Sequence, residues 1–183
     1  NIRFTGDFKM NNLEVVNDFE FFKSIFDGIF EGIKIKSIGS SAFKLSNFSG
    51  ALSLPVCTYV GQDAFFFSNF IGELSLPVCT YVGYNAFRNS NFTGVFNCPN
   101  LQEVGDNAFF NSNFSGSLSL PACTVIGGDA LANSNFTQIT IGANAELYSN
   151  CIGAHSIEFL DDYNANGKLA GTYVWDEATQ HWI

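Results

Sequence analysis

The sequence predicts an α/β solenoid, a right-handed coil rich in strands with short helical turns, finished by a small C-terminal β cap. Three observations predict it. Pro55, Pro77, Pro99 and Pro121 stand 22 residues apart, and so do Gly39, Gly61, Gly83, Gly105 and Gly127. Alanine keeps the interval at Ala42, Ala64, Ala86, Ala108 and Ala130. Phenylalanine keeps it longest, at Phe4, Phe26, Phe48, Phe70, Phe92, Phe114 and Phe136. A fixed period of this size marks a repeat array, and about 40 residues or more would be needed for a propeller blade. Two helices do not fit in the unit either, so one strand with a tight return remains.

Each slot of the unit has a physical reading. Residues one period apart stack at roughly 4.8 Å, the spacing of adjacent strands. In Leu52-Ser53-Leu54 and Leu74-Ser75-Leu76 two leucines point inward and one serine outward, the period of a half-buried strand. Proline ends that strand because it has no N–H for the ladder. A second extended stretch follows at Thr58-Tyr59-Val60 and its counterparts. The glycine after it is expected at positive φ, and Asn17 in the same slot fits that expectation. Asp-Ala-Phe or Asn-Ala-Phe then reads as one helical turn with Phe inward. The Asn of the recurring Ser-Asn-Phe is expected to be an internal amide bonded to neighbouring backbone.

The phase slips near the end. Ile139 arrives one residue early, and Ser149-Asn150-Cys151 resembles Ser112-Asn113-Phe114, which puts Cys151 in a Phe slot and a strand at Ile157-Glu158-Phe159. The coil is therefore expected over residues 1–160 and a cap or hairpin over 161–183, anchored by Tyr173, Trp175 and Trp182. Ile2 to Gly6 align with Ser90 to Gly94, so the chain opens mid-unit and an upstream part is expected.

Composition narrows the function. A net charge of −9 argues against nucleic acid. No apolar run is long enough to span a bilayer. Cys57, Cys79 and Cys123 share one inward slot, Cys98 takes a leucine slot, and unpaired buried thiols are expected. No nucleophile motif or phosphate-binding loop occurs, and neither His155 nor His181 has a visible partner for general-base work. The chain does not read as an enzyme, and no cofactor or metal is assigned.

The units Val104-Gly105-Asp106-Asn107-Ala108-Phe109 and Ile126-Gly127-Gly128-Asp129-Ala130-Leu131, with Leu-x-Leu-Pro between coils, resemble the BspA-like leucine-rich repeats of bacterial surface proteins. The tail from Asn166 to Tyr173 is similar to a C-terminal segment that such proteins carry. This unit is one residue shorter than the family's usual one and has Ser-Asn-Phe where Cys-x-x-Leu is common. The resemblance implies a leucine-rich-repeat solenoid in a secreted or surface-attached protein. It implies adhesion to host matrix proteins or to other cells, and no catalytic residue.

The residues themselves point to one candidate surface. The slot after the inward Phe holds Lys44, Phe66, Arg88, Phe110 and Ala132, alternating cations and aromatics, which suggests an outward stripe held by cation–π stacking. Phe67 and Tyr84 are expected beside it. Phe66, Phe67, Tyr84, Arg88 and Phe110 are thus the candidate protein-binding residues. The plain alternative is that the phenylalanines fold back under a neighbouring loop. Two other functions stay open: glycan- or calcium-dependent binding through the tail, and a structural spacer in a larger surface protein. Asp162-Tyr163-Asn164-Ala165-Asn166-Gly167 matches half of a calcium loop, but Tyr173 stands where its bidentate Glu belongs. Asn166-Gly167 reads more plainly as a hairpin turn.

Overall fold

The computed structural model describes residues 3–183. Its first strands are β1 (Arg3–Phe4), β2 (Phe8–Lys9), β3 (Val15–Val16), β4 (Ile25–Phe26), β5 (Phe30–Glu31) and β6 (Ser37–Ile38). Long and short strands then alternate: β7 (Ser49–Ser53), β8 (Tyr59–Val60), β9 (Asn69–Ser75), β10 (Tyr81–Val82), β11 (Phe92–Asn97) and β12 (Glu103–Val104). The series continues with β13 (Asn113–Leu120), β14 (Val125–Ile126), β15 (Asn135–Ile141) and β16 (Glu146–Leu147). A helix, α1 (Ser156–Ala165), and two strands, β17 (Gly171–Asp176) and β18 (His181–Trp182), follow.

These strands build a β-solenoid of about seven turns. The short strands stack in parallel from β3 to β16, and the long ones from β7 to β15. Tyr59 pairs with Tyr81 and Tyr81 with Glu103, one period apart. Arg3 pairs with Ile25 and Phe4 with Phe26, so the opening segment is in phase although it looks unlike the rest. Leu118 pairs with Ile139, one residue short of the period, as the early arrival of Ile139 requires.

Two phenylalanine ladders fill the coil. Phe43, Phe65, Phe87 and Phe109 stack with centroids 5.1–5.2 Å apart and rings within 9° of parallel. Phe48, Phe70 and Phe92 form the second, and Phe65 meets Phe70 edge-on at 73°. Such pairs add about 0.5–1.5 kcal/mol beyond burial of their area. All five cysteines are buried and unpaired. Burial pushes the Cys57 thiol up to about 12 and that of Cys79 up to about 11, so both stay protonated.

Several local expectations are corrected. Gly61, Gly83, Gly105 and Gly127 do not have positive φ. They are glycines because a Cβ would strike the backbone of the preceding coil, 2.5 Å from the Tyr84 nitrogen at Gly105. Asn17, in the same slot, is not at positive φ either. Positive φ belongs to the residue two further on, as at Asp63 (+54°), Asn85 (+55°) and Asn107 (+56°), and to bulge glycines such as Gly72 and Gly94. The return is not helical. Ala64, Phe66 and Ser68 donate to the carbonyls of Gly61, Asp63 and Phe65, which makes successive tight turns.

The internal polar residue is serine, not asparagine. Ser46, Ser68, Ser90, Ser112 and Ser134 are buried, with Ser46 and Ser68 hydroxyls 3.0 Å apart, while Asn47, Asn69, Asn91, Asn113 and Asn135 face outward. In the last coil Leu131 donates to the Cys151 carbonyl, where Phe109 donates to that of Ala130. Cys151 therefore sits in the alanine slot rather than the Phe slot, and Asn150, at φ +55°, is a turn residue.

The tail departs most. Ile157-Glu158-Phe159 is helical, not extended. Asn166-Gly167 is no hairpin: Gly167 (φ +67°) and Lys168 donate to the Asn164 and Tyr163 carbonyls, a Schellman end to α1. The half calcium loop is the last turn of that helix. Asp162 accepts from the Trp182 backbone at 2.7 Å and pairs with His181 at 2.9 Å, so its carboxylate is occupied. Phe159, Tyr163, Tyr173, Trp175 and Trp182 join the core, and the Tyr163 hydroxyl donates to Gly142 while accepting from Ala145.

Candidate interaction surface

Each coil turns a corner between its short and long strands on two left-handed residues. They are Ser41 and Leu45, Asp63 and Phe67, Asn85 and Asn89, Asn107 and Asn111, then Asp129 and Asn133. Asn and Asp tolerate this geometry best, which explains most of the set. The bulky exceptions are Leu45 (φ +64°) and Phe67 (φ +58°), with Phe19 (φ +58°) in the coil before; all are exposed, and Phe67 is the one whose ring joins the aromatic corner.

Between the two left-handed residues lies the slot holding Lys44, Phe66, Arg88 and Phe110. Lys44 Nζ stands 4.6 Å from the Phe66 ring centre and 3.2 Å from Asp63 Oδ2. The Arg88 guanidinium covers Phe110 at 4.7 Å, with Nη1 3.2 Å from Asn107 Oδ1 and 3.4 Å from Asn85 Oδ1. Each cation thus lies over the ring of the next coil. Phe66 and Phe110 are half-buried, with these cations over their rings. Phe67 meets Phe66 edge-on, 4.7 Å between centroids. Asp63 Oδ1 is buried without a hydrogen-bond partner.

The corner brings Phe66, Phe67, Arg88 and Phe110 together. Tyr84 lies elsewhere, in a depression of about 410 Å³ shared with Tyr81, Asp106 and Tyr148. Tyr59, outside that depression, stacks on Tyr81 from the preceding coil, 4.9 Å apart and 6° from parallel. Burial, then the neighbouring Tyr59 and Glu103, raise the Tyr81 hydroxyl above its ordinary value. This tyrosine cluster escapes a reading coil by coil, although the shared slot of Tyr59 and Tyr81 signals it. The alternation of the corner slot also extends one coil back, to the exposed Phe22.

A family model described as a BspA-type leucine-rich repeat region matches six copies over residues 36–158, about two thirds of the chain. Neither the curated proteins nor the solved structures contain a match to it. The stacked 22-residue coils agree with the family match, and strand pairing carries the same period back to Arg3. By its repeat and by the coils that the repeat builds, the chain belongs to the BspA-type leucine-rich-repeat family.

Proposed function

We propose that the chain is a non-catalytic, extracellular protein-recognition module that docks its partner on the corner ladder running from Lys44 to Phe110. The repeat family points to a protein-interaction module, is associated with surface proteins, and typically supplies a binding scaffold rather than an enzyme. No helix among the described residues is long and apolar enough to cross a membrane. The observation that carries the reading is the corner itself. Two cation–aromatic pairs and a strained, exposed Phe67 converge on one strip. Aromatic and arginine side chains of this kind dominate interface energetics.

A partner of this strip presents carboxylates for Lys44 and Arg88 and an apolar anchor for Phe67, as a host matrix protein or another cell's surface protein would. The same reading takes the coil as right-handed, the sense that parallel crossovers favour, and residues 161–183 as its cap. The test is a surface-plasmon screen of the purified chain against immobilised matrix proteins, repeated with Arg88→Glu and Phe110→Ser. A saturable ligand weakened tenfold or more by these changes supports the corner. A ligand that both variants bind unchanged places the docking surface elsewhere.

A further inference from the structure

Beside the corner runs an uncharged groove of about 420 Å³ lined by Phe67, Asn69, Asn89, Asn91, Asn111, Asn113 and Asn133. Its two walls are asparagine ladders with different causes. Asn89, Asn111 and Asn133 are left-handed, so the backbone accounts for them. They also bond one another, Asn111 Nδ2 to Asn89 Oδ1 at 2.6 Å and Asn133 Nδ2 to Asn111 Oδ1 at 2.5 Å.

The other wall has no such cause. Asn69, Asn91 and Asn113, with Asn135 continuing the ladder beyond the groove, have ordinary φ at or next to the start of a strand, where Asn is a poor choice. All are exposed; Asn69 Nδ2 donates to Asn47 Oδ1 of the preceding coil, while among the described residues the amides of Asn91, Asn113 and Asn135 bond nothing. Neighbouring exposed slots have drifted between coils: Ser49, Ile71, Thr93 and Ser115 two residues on, and Ala51, Glu73, Val95 and Ser117 four residues on. The asparagine is the same from Asn47, itself left-handed at φ +62°, through Asn135. Asn91 and Asn113 thus line the groove with exposed amides whose hydrogen-bonding capacity the fold leaves unused.

We infer that this groove binds a neutral carbohydrate chain lying along the solenoid axis. Amides both donate and accept, which matches hydroxyl groups that do the same. The absence of any charged residue in the lining disfavours ionic ligands. Phe67 closes one end with an exposed ring for the apolar face of a sugar. The spacing selects against a peptide. Coils repeat at roughly 4.8 Å, whereas an extended peptide advances about 3.3 Å per residue, so it meets the ladder in step only at every second coil and never coil by coil. A pyranose ring is close to one coil in length and keeps step. Thr93, Ser115 and Thr137 flank the free amides on the strand side and extend the hydroxyl-binding surface.

The test is affinity electrophoresis of the whole chain through gels holding galactomannan, hydroxyethylcellulose, arabinoxylan or dextran, with alginate as the anionic counterpart. The expected result is retardation by at least one neutral polymer. Asn91→Ala/Asn113→Ala/Asn135→Ala should weaken it tenfold or more at an unchanged melting temperature. Phe67→Asn, which installs the residue three other coils already carry, should weaken it several-fold without harming the fold. Migration unaffected by every neutral polymer overturns the inference, as does retardation that survives the triple change or occurs with alginate alone. Arg88→Glu and Phe110→Ser lie outside the groove lining, so loss of protein binding and loss of sugar binding are read separately.

Discussion

The opening coils and the middle coils solve the same stacking problem with different side chains. Six of the eight cations, Arg3, Lys9, Lys23, Lys34, Lys36 and Lys44, lie in the first 44 residues. There the outward ladders are ion pairs between coils: Arg3 with Asp27, Lys9 with Glu31, Lys36 with Glu14 and Lys44 with Asp63. In the middle coils the ladders join a residue to its own copy, as Ser46 to Ser68 and Asn111 to Asn89. Thr80 and Thr124 hydroxyls donate to carbonyls of the preceding coil. When coils are near-identical, only side chains that attract their own kind can fill a slot. Asn, Ser, Thr and aromatics do so, and Lys or Glu would repel itself. Drifted coils escape this restriction and use complementary charge.

The largest contrast is expected in the core. Phe87→Ala empties the middle of a closed ladder and should cost about 3–5 kcal/mol in denaturant unfolding. Phe21→Ala, at the half-buried start of the same ladder, should cost clearly less. Equal losses would mean that the opening coils are packed as tightly as the middle ones. Next come the glycines. Gly105→Ala drives a Cβ into the Tyr84 backbone and should cost about 1–3 kcal/mol. Gly116→Ala meets open space and strains only φ (+81°), at about 1 kcal/mol. The reverse order would show that backbone conformation, not coil contact, limits the fold.

Smaller effects separate the two kinds of ladder. Asn111→Asp removes the donor to Asn89 and should cost about 1 kcal/mol at neutral pH, little changed by salt. Lys36→Ala should cost less than Asn111→Asp, and that effect should fade in 1 M salt. The smallest signal is electrostatic. The hydrogen bond and charge of Lys36 hold the Glu14 carboxyl below its ordinary value. A depressed folded value stabilises above the unfolded one and is lost as pH falls through the folded one. A carboxyl-detected NMR titration should find that midpoint low, and ordinary in Lys36→Ala.

The sequence makes the coil legible because the constraint is one-dimensional: a residue and its copy 22 positions away must stack. Register, ladders and buried thiols all follow from it. What the period does not encode is which requirement a residue serves. Gly105 reads as a positive-φ glycine, but it answers a close approach of coils, and Asn107 carries the left-handed turn. In Ser-Asn-Phe, counting two back from the inward Phe puts Ser inside and Asn outside, so the alternation itself holds the answer. The tail has no copy to stack on. Its Phe159 and Tyr163 are four residues apart on one face of α1, a helical spacing that the strand-like neighbouring residues conceal. At the corner, the alternation of Lys44, Phe66, Arg88 and Phe110 is visible in the sequence. The partition of Tyr84 into a separate depression is not, because it depends on where β10 and β16 bring Tyr81 and Tyr148.

The backbone hydrogen bonds between coils, such as Phe65 to Ala86 and Phe87 to Ala108, run along the stacking direction. A tensile load applied at the two ends therefore pulls these bonds in line and concentrates on one coil boundary at a time. Each coil that peels away exchanges about 5 Å of stack for 22 residues of extended chain, a gain of roughly 70 Å. Under force the molecule becomes a stepwise extensible tether, releasing length in equal increments while the remaining coils stay folded. Single-molecule extension should record a staircase with that step, one per coil.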